Sequence, residues 1–112
     1  MNRRGPNAAA MLLVAGGLHA SGVMAVEESR AAELLHLLKH DCGSCHGMQL
    51  TGGLGPDLTD LAETGRSMES VYATIREGRT GTPMPPFRGV LSDDDIRWLS
   101  RYLLTRNAGD KR

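Results

Sequence analysis

The stretch CGSCH, Cys42 to His46, sets two thiols two residues apart and an imidazole directly after the second, in a chain with no other cysteine. Side chains of these types at this spacing support three chemistries: a dithiol–disulfide couple, a zinc site, or haem held by two thioethers with the histidine on its iron. Each makes a different demand on the rest of the chain.

A redox couple of the thioredoxin kind needs a strand before the motif and a sheet around it, so that a helix N-terminus can lower the thiol pKa. The residues before CGSCH read instead as a helix from about Glu27 to Cys42, with Ala31, Leu34, Leu35 and Leu38 at i, i+3, i+4 and i+7. Zinc is better served locally, since His36, His40, Cys42, Cys45 and His46 offer five ligands and the first two share a helix face. It would, however, leave two unusual loops downstream without a purpose. Individually, His36 and His40 read better as polar residues beside an amphipathic stripe. Haem attachment consumes both cysteines, so it accounts for their number.

The haem reading makes further demands. A ligating histidine needs an acceptor for its other ring N–H, which fixes its tautomer and orientation. Gly53-Leu54-Gly55-Pro56 forms a loop able to pass close beneath the ring, because glycine permits φ > 0 and tight backbone approach, and the Pro56 carbonyl is the candidate acceptor. The competing reading is an ordinary Gly-Pro turn. An iron that only carries electrons also needs a sixth ligand, and a methionine thioether raises its potential relative to a second histidine. Met48 is too near the attachment point to reach the opposite face, and Met68 lies on a helical stripe. Met84 stands between Pro83 and Pro85 in a loop stiffened by those rings, which makes it the candidate.

The elements around these residues are helical. The glycine-rich GMQLTGGLGPDLTDL reads as a long loop leading into a short turn of helix near Thr59 to Glu63. Ser67 then caps a helix over Met68 to Glu77 with Gly78 as its stop, and Met68, Val71, Tyr72 and Ile75 mark its apolar face. RTGTPMPPFRGV is a proline-punctuated loop. Ser92 caps a last helix through Asp93, Asp94 and Asp95 to about Arg106, with Ile96, Leu99 and Leu103 as its stripe and Trp98 and Tyr102 one turn apart. Nothing alternates like a strand, so the fold class is all-α.

The N-terminus reads as an export signal. MNRRG is basic, AAAMLLVAGGL is apolar, and Val23-Met24-Ala25 is a small-residue cleavage site, which puts the cut after Ala25. A membrane anchor would need about 20 apolar residues, and Gly16, Gly17 and His19 interrupt this run too early. The processed chain, residues 26–112, keeps 11 basic against 13 acidic side chains, a formal charge of −2. That balance argues against a nucleic-acid partner. With 4% aromatic residues in the whole sequence, so short a domain needs a staple to supplement its core. A vicinal cysteine pair closes no useful structural loop, and in an oxidising compartment free thiols are oxidised unless used.

Taken together, CGSCH, the GGLGPDL loop, TPMPPF and LSDDDIRWLSRYL resemble a class I monohaem cytochrome c over nearly the whole processed chain. The resemblance implies a cytochrome c-like fold of about three to four helices around one covalent haem c. In it Cys42 and Cys45 carry the thioethers, His46 and Met84 are the axial iron ligands, Pro56 backs the histidine, and the first and last helices cross. Leu54, Leu58, Met68, Ile75, Trp98 and Leu99 are the expected packing partners, and the apoprotein is expected to be largely unstructured. More narrowly, HDCGSCHGMQLTGGLGPDLT and GRTGTPMPPFRGVLS are similar to small periplasmic cytochromes encoded beside cytochrome cd1 nitrite reductase in denitrifying bacteria. That similarity implies a soluble periplasmic single-electron carrier, with no membrane anchor after cleavage, serving nitrite reductase. The alternative is a redox partner in maturation of its haem d1 cofactor. A haem enzyme or gas sensor with an open sixth position is the contrasting class, and Met84 discriminates against it. Arg79 and Arg88, flanking the methionine loop, are expected to meet an acidic partner patch or a haem propionate, or else only solvent.

Overall fold

The computed structural model describes residues 16–17 and 21–106, with residues 21–26 described as backbone only. Most of the expected signal segment, residues 1–25, therefore lies outside the described residues. The described chain runs α1 (Ser21–Leu37), a π-helical segment (Leu38–Cys42), α2 (Gly43–His46), α3 (Met68–Glu77) and α4 (Asp93–Thr105), with no strand among the described residues. No described helix is long and apolar enough to cross a membrane.

The expected first helix, Glu27 to Cys42, is longer at both ends, beginning at Ser21 and continuing through the π segment into α2. The Gly43 N–H bonds to the Leu38 carbonyl five residues back. Such a turn holds one extra residue, which rotates everything beyond it by about 100° relative to an unbroken α-helix. Apolar spacing alone does not reveal this, because Leu34, Leu38 and Cys42 sit four apart under either winding.

One core cluster gathers Leu34 and Leu38, Val71 of α3, Ile96, Leu99 and Leu103 of α4, and Leu50 and Leu91 from the loops. Leu35, expected on the first stripe, is instead 37% exposed. One residue along an α-helix is about 100° of rotation, which carries Leu35 off the face on which Leu34 is buried. Trp98 and Tyr102 stack with their ring centroids 5.3 Å apart. Ser100, fully buried in α4, keeps its hydroxyl satisfied by donating to the Ile96 carbonyl at 2.7 Å.

Both long loops end in serine-capped helices. The Ser67 hydroxyl accepts from the Ser70 N–H, and Gly78 follows α3 with φ +69°. At α4, Ser92 and Asp95 form a reciprocal capping box. The same Asp95 carboxylate accepts from Arg30 Nε at 3.0 Å and from its terminal nitrogen at 2.6 Å, tying α1 to α4. One carboxylate thus closes a helix end and joins the two ends of the domain. Arg76 reaches Asp93 at 3.1 Å, while α3 packs along α4.

The Arg30 hydrogen bonds hold the Asp95 carboxyl down at about 2. Its folded value lies below the unfolded one near 3.9, so its contribution is complete above about pH 4 and disappears as pH falls through about 2. Thermal unfolding of the holoprotein should find Asp95→Asn less stable than wild type at neutral pH, with the gap closing between about pH 4 and pH 2. Ser92→Ala should cost about 1 kcal/mol at neutral pH through loss of the cap.

Candidate functional site

Helix α2 is a single turn carrying Cys45 and His46, and such a turn leaves its last carbonyls without helical partners. The following loop supplies them. Leu50 N–H donates to the Gly47 carbonyl, Gly52 N–H to His46 and Gly55 N–H to Cys45, each at 2.8 Å. Leu50 holds φ +60°, an uncommon conformation for leucine, while its side chain is 4% exposed in the core. Burial of that side chain sustains the backbone strain and plants the loop. Beyond it, Asp57 Oδ1 accepts from the Thr59 N–H at 2.7 Å and its hydroxyl at 2.6 Å, and Leu58 N–H returns to the Leu50 carbonyl.

The loop so folded carries the Pro56 carbonyl to 2.8 Å from His46 Nδ1. A carbonyl oxygen only accepts, so Nδ1 is the protonated ring nitrogen and donates. Nε2 is left with its lone pair, the form in which imidazole ligates a metal.

The glycines of this loop serve two separate ends. Gly47 and Gly52 adopt φ +87° and +110°. Gly53 and Gly55 do not have positive φ, contrary to the conformational reason expected for them; what they supply is space. A Cβ on Gly55 would lie 2.7 Å from both Cε1 and Nδ1 of His46, and one on Gly53 would lie 2.8 Å from the Cys45 carbonyl oxygen. The glycine-rich composition signals close approach, but not which glycine faces the ring.

Cys42 and Cys45 are half-buried and free, with no disulfide between them. Burial, assisted by Asp41, pushes the Cys42 thiol up to about 11. A thiol so disposed is the reverse of a thioredoxin-type nucleophile. The zinc arrangement also lacks its geometry, since among the described residues no three His, Cys, Asp or Glu side chains gather to hold a metal ion. His36 and His40 pack against each other instead, ring centroids 4.2 Å apart. Two free thiols and an adjacent imidazole presenting Nε2 are the donor set that covalent haem attachment requires.

The structure thus groups Cys42, Cys45, His46 and Pro56. Met84 belongs to a second loop, built on α3. It is half-buried, its carbonyl accepts from the Arg79 N–H at 3.2 Å, and its N–H donates to the Thr82 hydroxyl at 3.3 Å. Phe87 and Arg88 then donate their N–H groups to the Ile75 and Arg76 carbonyls near the end of α3. No described hydrogen bond joins Met84 to the His46 loop, yet both loops rest on the same core, one through Leu50 and Leu58 and the other through Phe87. Arg88 pairs with Glu77 at 2.7 Å, whereas the Arg79 side chain has no hydrogen bond or ion pair among the described residues. Of the expected packing residues, Leu99 is core and Leu58, Ile75 and Trp98 pack against it; Met68 is half-buried, and Leu54 is 80% exposed.

Residues 29–103 match the family described as "Cytochrome C oxidase, cbb3-type, subunit III". A protein of Pseudomonas aeruginosa named cytochrome c55X is 60% identical over 75 residues, 67% of this chain and 63% of that protein. A cytochrome c55X of Paracoccus denitrificans is 47% identical over 70% of this chain and 76% of its own length. The chain therefore spans somewhat less than two thirds of the Pseudomonas relative. A solved structure named c-type cytochrome NirC superposes with a TM-score of 0.65 at 53% identity, covering 74% of this chain and 94% of that one.

If Gly55 is a space requirement, adding one methyl should overpack the loop. Gly55→Ala should lower the stability of the holoprotein by about 1–3 kcal/mol. Gly89→Ala, where a Cβ meets nothing within 4 Å, should be near neutral in the same thermal unfolding measurement.

Proposed function

This chain belongs to the c-type cytochromes, whose haem c and its iron are covalently bound, and from that premise we propose that it is an exported one-electron carrier with His46 and Met84 as axial ligands. The observation that carries the reading is the His46 Nδ1–H bond to the Pro56 carbonyl, which leaves Nε2 basic and fixes the plane of the ring. Cys42 and Cys45, on successive turns before His46, supply the thioethers. Bound there, haem supplies a one-electron ferrous–ferric couple.

The protein's own part is to hold both ligands still. His46 is oriented by Pro56 and crowded by Gly55, while Met84 is held in a loop hydrogen-bonded to α3. Held on the iron, the Met84 thioether would raise the potential relative to bis-histidine ligation and would deny that position to small molecules. Cleavage after Ala25 delivers residues 26–112 to the periplasm, the compartment suited to such a carrier. The relatives named cytochrome c55X and NirC, together with the loop wording shared with cytochromes encoded beside cytochrome cd1, support a place in denitrification as electron donor to nitrite reductase.

Visible spectroscopy of the oxidised holoprotein tests the ligand pair. Wild type should show the long-wavelength sulfur-to-iron charge-transfer band, and its reduced form should bind CO slowly at neutral pH. Met84→Ala should lose the band, bind CO readily and shift to a lower reduction potential; a wild type already without the band would overturn the reading. In stopped-flow mixing, the reduced cytochrome should transfer its electron to purified cytochrome cd1. Failure to do so alongside specific binding to a haem d1 maturation protein would reassign its partner.

A further inference from the structure

At Gly78, which ends α3, the loop carrying Met84 passes backbone against backbone. Gly78 has φ +69° and ψ −166°, a region that only glycine enters without strain. A Cβ there would lie 2.6 Å from the Met84 carbonyl oxygen, 2.8 Å from the Pro85 carbonyl carbon and 2.9 Å from the Pro86 nitrogen. None of these atoms is the movable tip of a side chain.

We propose that Gly78 is a positioning residue for Met84: its missing side chain lets the loop seat directly on α3, and that seat sets where the methionine sulfur is presented. This rests on Met84 being an iron ligand. The loop is pinned on both sides of the contact, by Arg79 N–H to the Met84 carbonyl and by Phe87 N–H to the Ile75 carbonyl. Between the pins, the rings of Pro85 and Pro86 fix φ and so restrict the local rotations by which the loop could absorb a displacement. A push at Gly78 is therefore passed to Met84. Gly78 itself is fixed, because its N–H closes α3 on the Thr74 carbonyl at 2.9 Å.

The same loop contains an internal control. Gly81 also has positive φ, +78°, but a Cβ there meets nothing within 4 Å. Alanine at Gly81 introduces strain without the clash, and alanine at Gly78 introduces both.

The test compares Gly78→Ala, Gly81→Ala and Met84→Ala holoproteins, matched for covalent haem content and far-ultraviolet helicity. Gly78→Ala should lose most of the charge-transfer band, and its apparent CO affinity should rise by about tenfold as the fraction with sulfur off the iron rises by the same factor. Gly81→Ala should keep the wild-type band and CO affinity. An unchanged band in Gly78→Ala, or equal losses at both glycines, would overturn the proposal. If wild type lacks the band, or Met84→Ala retains it, the ligand assignment fails instead. Should Gly78→Ala yield too little folded holoprotein, Pro85→Ala and Pro86→Ala are added in the same background so that the loop can give way. The proposal requires this combination to recover folded protein, and failure to recover it counts against transmission through the prolines.

Discussion

A single hydrogen bond, from His46 Nδ1 to the Pro56 carbonyl, is the constraint around which the first half of the domain is arranged. For that bond to form, the chain must reverse within ten residues and return flush against an imidazole. The reversal needs positive φ at Gly47 and Gly52, a leucine at φ +60° held down by the core, and an absent side chain at Gly55. Each of these is unfavourable or permissive by itself; together with the bonds returned to the carbonyls of Cys45, His46 and Gly47 they form one locked loop. The product is a histidine with one available nitrogen and little freedom to rotate.

The methionine side is built differently. No side-chain hydrogen bond can orient a thioether strongly, so its placement is delegated to backbone: N–H groups from the loop satisfy carbonyls near the end of α3, and prolines hold the intervening turn. The helices supporting both loops are joined by α3 packing on α4 and by Arg30 bridging from α1 to Asp95. That carboxylate also closes the α4 capping box, so helix initiation and the junction of the two chain ends share one group. For a domain with few aromatic residues, a covalently held ring is a fitting completion of so small a core.

How much of this can be read from the sequence depends on which forces are local. Helix α3 is legible at both ends because Ser67 and Gly78 act on their own neighbours, and α4 because Ser92 and three aspartates do the same. The all-α class follows from that periodicity and from the family. The π segment is not legible, since one additional residue per turn leaves the spacing of apolar residues unchanged. Nor is the burial of Leu50, an isolated apolar residue in a loop whose role appears only when the loop closes. Motif spacing singles out Cys42, Cys45 and His46, and composition marks a glycine-proline loop as their companion. That Gly55 and Gly78 are empty for the sake of particular atoms emerges only from distances across the fold, because composition does not distinguish a glycine needed for φ from one needed for room.

The central claim is that two backbone-locked loops deliver His46 and Met84 to one iron. X-ray absorption at the iron edge of the oxidised and reduced holoprotein reads this most directly, because sulfur and nitrogen neighbours scatter differently. A sulfur neighbour alongside nitrogens in both oxidation states, lost in Met84→Ala, is the result expected. A first shell of nitrogen and oxygen alone in the wild-type protein would contradict it.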